Sequence, residues 1–146
     1  MNVLIINGPN LNLLGRRDPA IYGTETLEEI MTDLGAYLCE KGCEAGFFQS
    51  NHEGAIIDRI HEAIGTADGI IINAGAYTHY SYAIRDAIEA AGIPTVEVHL
   101  SDIHSREPVR AVSVIEPVCI AQVSALGRQS YFVGAEILLG KLRKND

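Results

Sequence analysis

Four short apolar runs, each broken off by a polar cluster, constrain the fold of this chain more than any other feature. VLII (3–6) runs into Asn7, Gly8, Pro9 and Asn10, and GFF (46–48) into Gln49, Ser50, Asn51, His52 and Glu53. GIII (69–72) ends at Asn73, and PTVEV (94–98) ends at His99. β-Branched runs of this length, separated by stretches of helical period, build a parallel sheet. Such sheets bind ligands outside the carboxyl ends of their strands, where all four polar clusters are expected to fall.

The intervening segments carry helix signals. Thr26 followed by Glu29 has capping-box spacing, and Leu27, Ile30, Leu34 and Leu38 then share a face until Gly42 stops the helix. A second strand over 45–49 leads to a helix with Ile56, Ile57, Ile60 and Ile64 on its apolar side. The strand over 69–72 is apolar throughout, as a central strand covered on both faces should be. A polar loop over 73–79 enters a helix containing Ala83, Ile84, Ala87, Ile88 and Ala91, closed by Gly92. A strand over 95–98 delivers Glu97 and His99, and a last strand near 118–123 precedes a helix from about Tyr131. This alternation predicts an α/β protein, a flavodoxin-like doubly wound five-stranded parallel sheet with helices on both faces. It is expected to form a single catalytic domain over residues 1–146.

A formal charge of −8 argues against a nucleic-acid binder, which needs a basic face. No apolar run is long enough to span a bilayer and no leader is evident, so a cytoplasmic protein is expected. The three cysteines, Cys39, Cys43 and Cys119, form no CxxC pair, and Cys39 and Cys43 read as small packing residues near a helix end. The arginines are more informative. Arg16, Arg17, Arg106 and Arg110 fall in two long loops at strand ends, where a planar guanidinium can grip two oxygens of an anion. The first of these loops, 8–24, is long for a small domain, as functional loops and lids often are.

Several chemistries are missing their motifs. Neither GxGxxG nor GxxxxGK[ST] follows the first run, and no GxSxG elbow is present. His79, His99 and His104 lack metal-ligand spacing, so no metal is expected. What remains suits proton transfer on a small anionic molecule. Glu97 lies two residues before His99 on one strand and shares its face, and a carboxylate there can hold the imidazole in one tautomer for use as a general acid. Tyr22 could act as a base only if cationic neighbours such as Arg16 and Arg17 support its phenolate, because a free phenol ionises near about 10; taken alone, the segment reads first as a Pro/Gly-rich loop that Tyr22 anchors by packing. Asn73 closes the most apolar strand, and the backbone of Leu100, Ser101 and Asp102 beyond the fourth strand offers a carboxylate cradle.

Taken together, NGPNLNLLGRRDPAIYG (7–23), FQSNHEG (48–54) with Ile57 and Asp58, INAGAYTHYSYAIRDA (72–87) and EVHLSDIHSRE (97–107) closely resemble type II 3-dehydroquinate dehydratase, the type II dehydroquinase. The resemblance implies metal-free, cofactor-free dehydration of 3-dehydroquinate to 3-dehydroshikimate through an enolate. It implies Tyr22 as base, Arg17 as its electrostatic support, His99 oriented by Glu97 as acid, and Asn10 as the residue that positions a water at the enolate oxygen. Asn73, Leu100 and Ser101 would bind the carboxylate end. His79, Arg110 and an Asp86 from a neighbouring subunit would hold the ring hydroxyls. The family forms trimers grouped into dodecamers, so a homo-oligomer of that kind is implied. Ala74 stands where proline is frequent and Asp102 where asparagine is common. Pro108 and Val109 separate Glu107 from Arg110, and the proline stiffens the segment that delivers that arginine.

Two rival classes remain. A non-catalytic flavodoxin-like module binding a small anion leaves the Glu97 and His99 pair unexplained. A phosphotransfer receiver would need acids after the first strand, where Asn7 and Gly8 stand. Among dehydroquinases, Schiff-base chemistry requires a site lysine, and Lys41, Lys141 and Lys144 all fall at helix ends or the tail.

Overall fold

The computed structural model describes residues 1–16, 18–22 and 24–145, without the side chains of Ile21 and Tyr22. Five parallel strands form one sheet in the order β2-β1-β3-β4-β5: β1 (Asn2–Asn7), β2 (Glu44–Gln49), β3 (Gly69–Asn73), β4 (Thr95–Val98) and β5 (Ala121–Val123). The helices are α1 (Pro19–Tyr22), α2 (Leu27–Glu40), α3 (Glu53–Glu62), α4 (Tyr82–Ala91) and α5 (Gln129–Lys144). This is the doubly wound α/β arrangement expected from the alternation of apolar runs.

Alternation along the strands divides the core in two. Val3, Ile5, Ile71, Val96 and Val98 pack with α2 and α5, whereas Leu4, Ile6, Ile70 and Ile72 pack with α3 and α4. Both faces of β1 and β3 are therefore dry, which is why neither strand shows polar alternation. Each fully buried Ile or Leu contributes about 1.5–3 kcal/mol by leaving water.

The local signals act as their chemistry requires. Thr26 Oγ1 accepts from Glu29 N at 3.2 Å. Gly42 adopts φ +79° after α2, and Cys43 N reaches back to Leu38 O at 2.9 Å, closing that helix. Four expectations are corrected. Ile64 lies beyond the end of α3 and is more than half exposed, because the chain turns away at Ala63. The last strand is shorter than 118–123, since Pro117 lies in a 3-10 turn over Glu116–Val118 that delays pairing to Ala121. The loop from Gly8 is interrupted by a 3-10 turn over Leu11–Leu13 and by α1. Cys43 is buried, but Cys39 is exposed and so is no core residue.

Candidate active site

In the strand order 2-1-3-4-5 the chain leaves β1 for one side of the sheet, while β3 and β4 lie on the other, so a crevice opens outside their carboxyl ends. Pro9, Asn10 and Leu11 line it from β1, and Asn73, Gly75, Ala76 and His79 from β3. His99, Leu100, Ser101, Ile103, Arg106 and Arg110 complete it from β4. No lysine lines this crevice. Among the described residues no three His, Cys, Asp or Glu side chains group as a metal site would need.

The first wall depends on a missing side chain. Gly8 N donates to Asn73 O at 2.7 Å, and a Cβ on Gly8 would stand 2.5 Å from the Ala74 carbonyl oxygen. Asn10 then turns with φ +68°, a left-handed conformation that asparagine tolerates better than most residues. Its N–H donates to Asn51 Oδ1 at 3.0 Å, while Gln49 Nε2 donates to Gly8 O at 3.1 Å. The polar cluster after β2 therefore does not line the crevice, contrary to the expectation for all four clusters. It buttresses the loop that does.

The opposite wall carries the Glu97 and His99 pair. Glu97 is fully buried and His99 is 5 % exposed, with His99 Nε2 2.5 Å from Glu97 Oε2. Thr78 Oγ1 donates to the same carboxylate at 2.7 Å, and Ser113 Oγ lies within hydrogen-bonding distance of both its oxygens. Burial opposes the charge on Glu97, yet hydrogen bonds from His99, Thr78 and Ser113 outweigh it and hold the carboxyl below its ordinary value. An ionised Glu97 requires a proton on His99 Nε2, which leaves Nδ1 as the ring nitrogen outside this bond. Neither Thr78 nor Ser113 was foreseen as part of this site. Thr78 sits inside the segment that ends in His79, whereas nothing in the residues around Ser113 marks it.

His79 Nδ1 donates to Val112 O at 2.8 Å, and desolvation, only partly offset by that bond, lowers its pKa, favouring the neutral ring. His104 bridges the Ala111 carbonyl and Gln122 Oε1, both at 2.9 Å, pinning the loop after β4 against β5. The bond to Gln122, then that to Ala111, raises its pKa. Arg110 reaches the crevice at the end of the 3-10 turn Pro108–Arg110, its Nε bonded to Glu107 Oε1 at 3.1 Å. Proline at the first position thus starts the turn that brings Arg110 in. Leu100 O and Ser101 O accept from Gly127 N and Ala125 N, fixing this backbone from outside the crevice.

Asn10, Asn73, His79, His99, Leu100, Ser101 and Arg110 meet at the crevice, with Glu97 directly behind His99. Asp86 is exposed on α4, outside the crevice of its own chain. Arg16 is exposed and does not line the crevice. Arg17 and the side chain of Tyr22 lie outside the described residues.

The family described as Dehydroquinase class II matches residues 1–139. The chain belongs to the class II dehydroquinase family. A 3-dehydroquinate dehydratase of Caldicellulosiruptor bescii is 57 % identical over 132 residues, covering 90 % of this chain and 91 % of that protein. The crystal structure of the type II dehydroquinase of Butyrivibrio crossotus superposes with a TM-score of 0.93 at 49 % identity, covering 95 % of this chain and 97 % of that one. That of Propionibacterium acnes gives 0.89 at 34 % identity, over 94 % and 96 % of the two chains. A class II dehydroquinase fold therefore presents the Glu97–His99 pair, and a non-catalytic anion-binding module is not favoured.

Proposed function

We propose that this chain is a 3-dehydroquinate dehydratase, a hydro-lyase that removes water from 3-dehydroquinate to give 3-dehydroshikimate through an enolate, without metal or cofactor. The observation that carries this reading is the buried Glu97 carboxylate 2.5 Å from His99 Nε2 at the edge of a polar crevice, in a chain of this family. His99 donates its Nδ1 proton to the departing hydroxyl, and the ionised Glu97 stabilises the imidazolium before that transfer. Tyr22 removes the proton from the carbon beside the ketone, and Arg17 stabilises its phenolate; both roles rest on their places in the motif over 7–23. Asn10 positions a water at the enolate oxygen.

The carboxylate end of the substrate is bound by Asn73 with the backbone of Leu100 and Ser101. His79 and Arg110 hold the ring hydroxyls, joined by Asp86 of a neighbouring copy. The exposed place of Asp86 on α4 fits donation between chains. That sharing accords with a dodecamer of trimers, each chain a single catalytic domain over 1–146, working in the cytoplasm in aromatic biosynthesis (the shikimate pathway) or quinate breakdown. No helix among the described residues is long and apolar enough to cross a membrane.

The test is ultraviolet absorbance of purified protein with 3-dehydroquinate, with and without a chelator, followed by a borohydride challenge. A growing conjugated-enone signal insensitive to both treatments is expected. No signal from folded protein overturns the reading, and inactivation by borohydride would indicate an imine intermediate instead.

A further inference from the structure

Behind Asn73 lies a buried polar relay that the acid–base chemistry does not use. Asn7 and Asn73 are register partners at the ends of β1 and β3, and both are buried. Tyr131, in the first turn of α5, is also wholly buried, and its hydroxyl lies between them. Three polar side chains in a dry core are costly unless every one is bonded.

The directions of these bonds follow from donors and acceptors that cannot be exchanged. Gly75 N is a donor only, and it lies 3.2 Å from Asn73 Oδ1, so the Asn73 oxygen faces that backbone. Asn73 Nδ2 must then donate to the Tyr131 hydroxyl, at 3.1 Å. With its oxygen accepting there, Tyr131 gives its own proton to Asn7 Oδ1 at 2.5 Å, and Asn7 Nδ2 is left to the Met31 sulfur at 3.4 Å. Burial pushes the phenol of Tyr131 up, so it keeps this proton throughout the working range. Asn73 lines the crevice, and the second N–H on its nitrogen is the donor it has to spare.

We propose that Tyr131 is a positioning residue that, with the Gly75 N–H holding the oxygen, locks the Asn73 amide so that it presents an N–H to a substrate carboxylate. This rests on the reading of Asn73 as a ligand of that carboxylate. An amide left with only the 3.2 Å bond from Gly75 N would turn more readily, offering donor and acceptor alike, and would lose its preference for an anion over a neutral group of the same shape. Tyr131 sits 58 residues from Asn73, and it contributes to selectivity without touching the substrate.

The experiment compares unmodified protein, Tyr131→Phe and Asn7→Ala. It measures KM and kcat for 3-dehydroquinate, and inhibition constants for quinate and for its neutral carboxamide. Loss of the lock is expected to raise KM about tenfold with a smaller change in kcat, and to narrow the preference for quinate over the carboxamide by a similar factor. Asn7→Ala removes the acceptor for the tyrosine proton, so that proton competes for the Asn73 oxygen; this variant decides the matter if Tyr131→Phe does not fold. A cooperatively melting variant with unchanged quinate preference overturns the proposal. Absence of turnover by the unmodified protein sinks the functional reading and this one with it, whereas unchanged selectivity in active variants sinks this one alone.

Discussion

Ser113 Oγ stands 2.9 and 2.8 Å from the two carboxylate oxygens of Glu97, and joins Thr78 and His99 in surrounding it with donors. A buried carboxylate loses several kcal/mol of hydration, and only such a shell makes its charge tolerable. The shell also fixes the imidazole, because a charged Glu97 holds His99 with Nε2 protonated.

Glu97→Gln keeps the shape of this shell and removes its charge. The amide no longer stabilises an imidazolium, so kcat is expected to fall by about two orders of magnitude or more with little change in KM. Steady-state kinetics of the folded variant decide this, and kcat within a factor of about three of the parent would remove Glu97 from the acid's support.

Tyr22→Phe is expected to abolish turnover while substrate binding, followed by calorimetry, persists. His99→Ala should slow loss of the hydroxyl more than exchange of the proton beside the ketone, by about a hundredfold or more. Equal slowing of both steps, measured by solvent deuterium incorporation, would argue that His99 is not the acid.

Acid stability should report on the same shell. Because the folded pKa of Glu97 is depressed, its contribution is fully present above the ordinary carboxyl value of about 4.3 and disappears as pH falls through the lower folded value. Ser113→Ala removes one of the donors that lower it, so the contribution should be smaller and its loss complete at a higher pH. The acid-unfolding midpoint of the variant is expected to rise, and a midpoint equal to that of the parent counts against this assignment.

Gly8→Ala should destabilise by about 2–4 kcal/mol, because its Cβ would meet the Ala74 carbonyl at 2.5 Å and both neighbours are backbone. Denaturant unfolding measures this. The same shift would move the Pro9–Leu11 wall, so kcat/KM should drop as well.

The thiols should separate by position. Cys39 is exposed, Cys43 is buried, and burial of Cys119, with help from Glu97 and Glu116, pushes its pKa to about 12. Alkylation of native protein at pH 8, mapped by mass spectrometry, is expected to mark Cys39 alone, with Cys43 and Cys119 labelled only in denaturant. Rapid native labelling of Cys119 would contradict its packing.

What the amino-acid order determined alone was everything carried by short-range period and by local bonds. The short apolar runs specified β1 to β4, the Thr26 and Glu29 spacing specified the start of α2, and Gly42 and Gly92 specified two helix ends. Glu97 and His99 were legible as a pair because residues two apart on a strand share a face. Tertiary structure decided what depends on chain returning from a distance. Ser113 reaches Glu97 only after the loop that carries Arg106 and Arg110 has turned back. Tyr131 reaches Asn7 only when α5 covers the sheet, 124 residues later. The cluster after β2 looked like part of the site and is its brace, because only the order of strands places β1, β3 and β4 around the crevice. Hydrogen bonds between distant residues leave no period in the chain, so the pattern that marked the strands could not mark the donors that hold Glu97 and Asn73 in place.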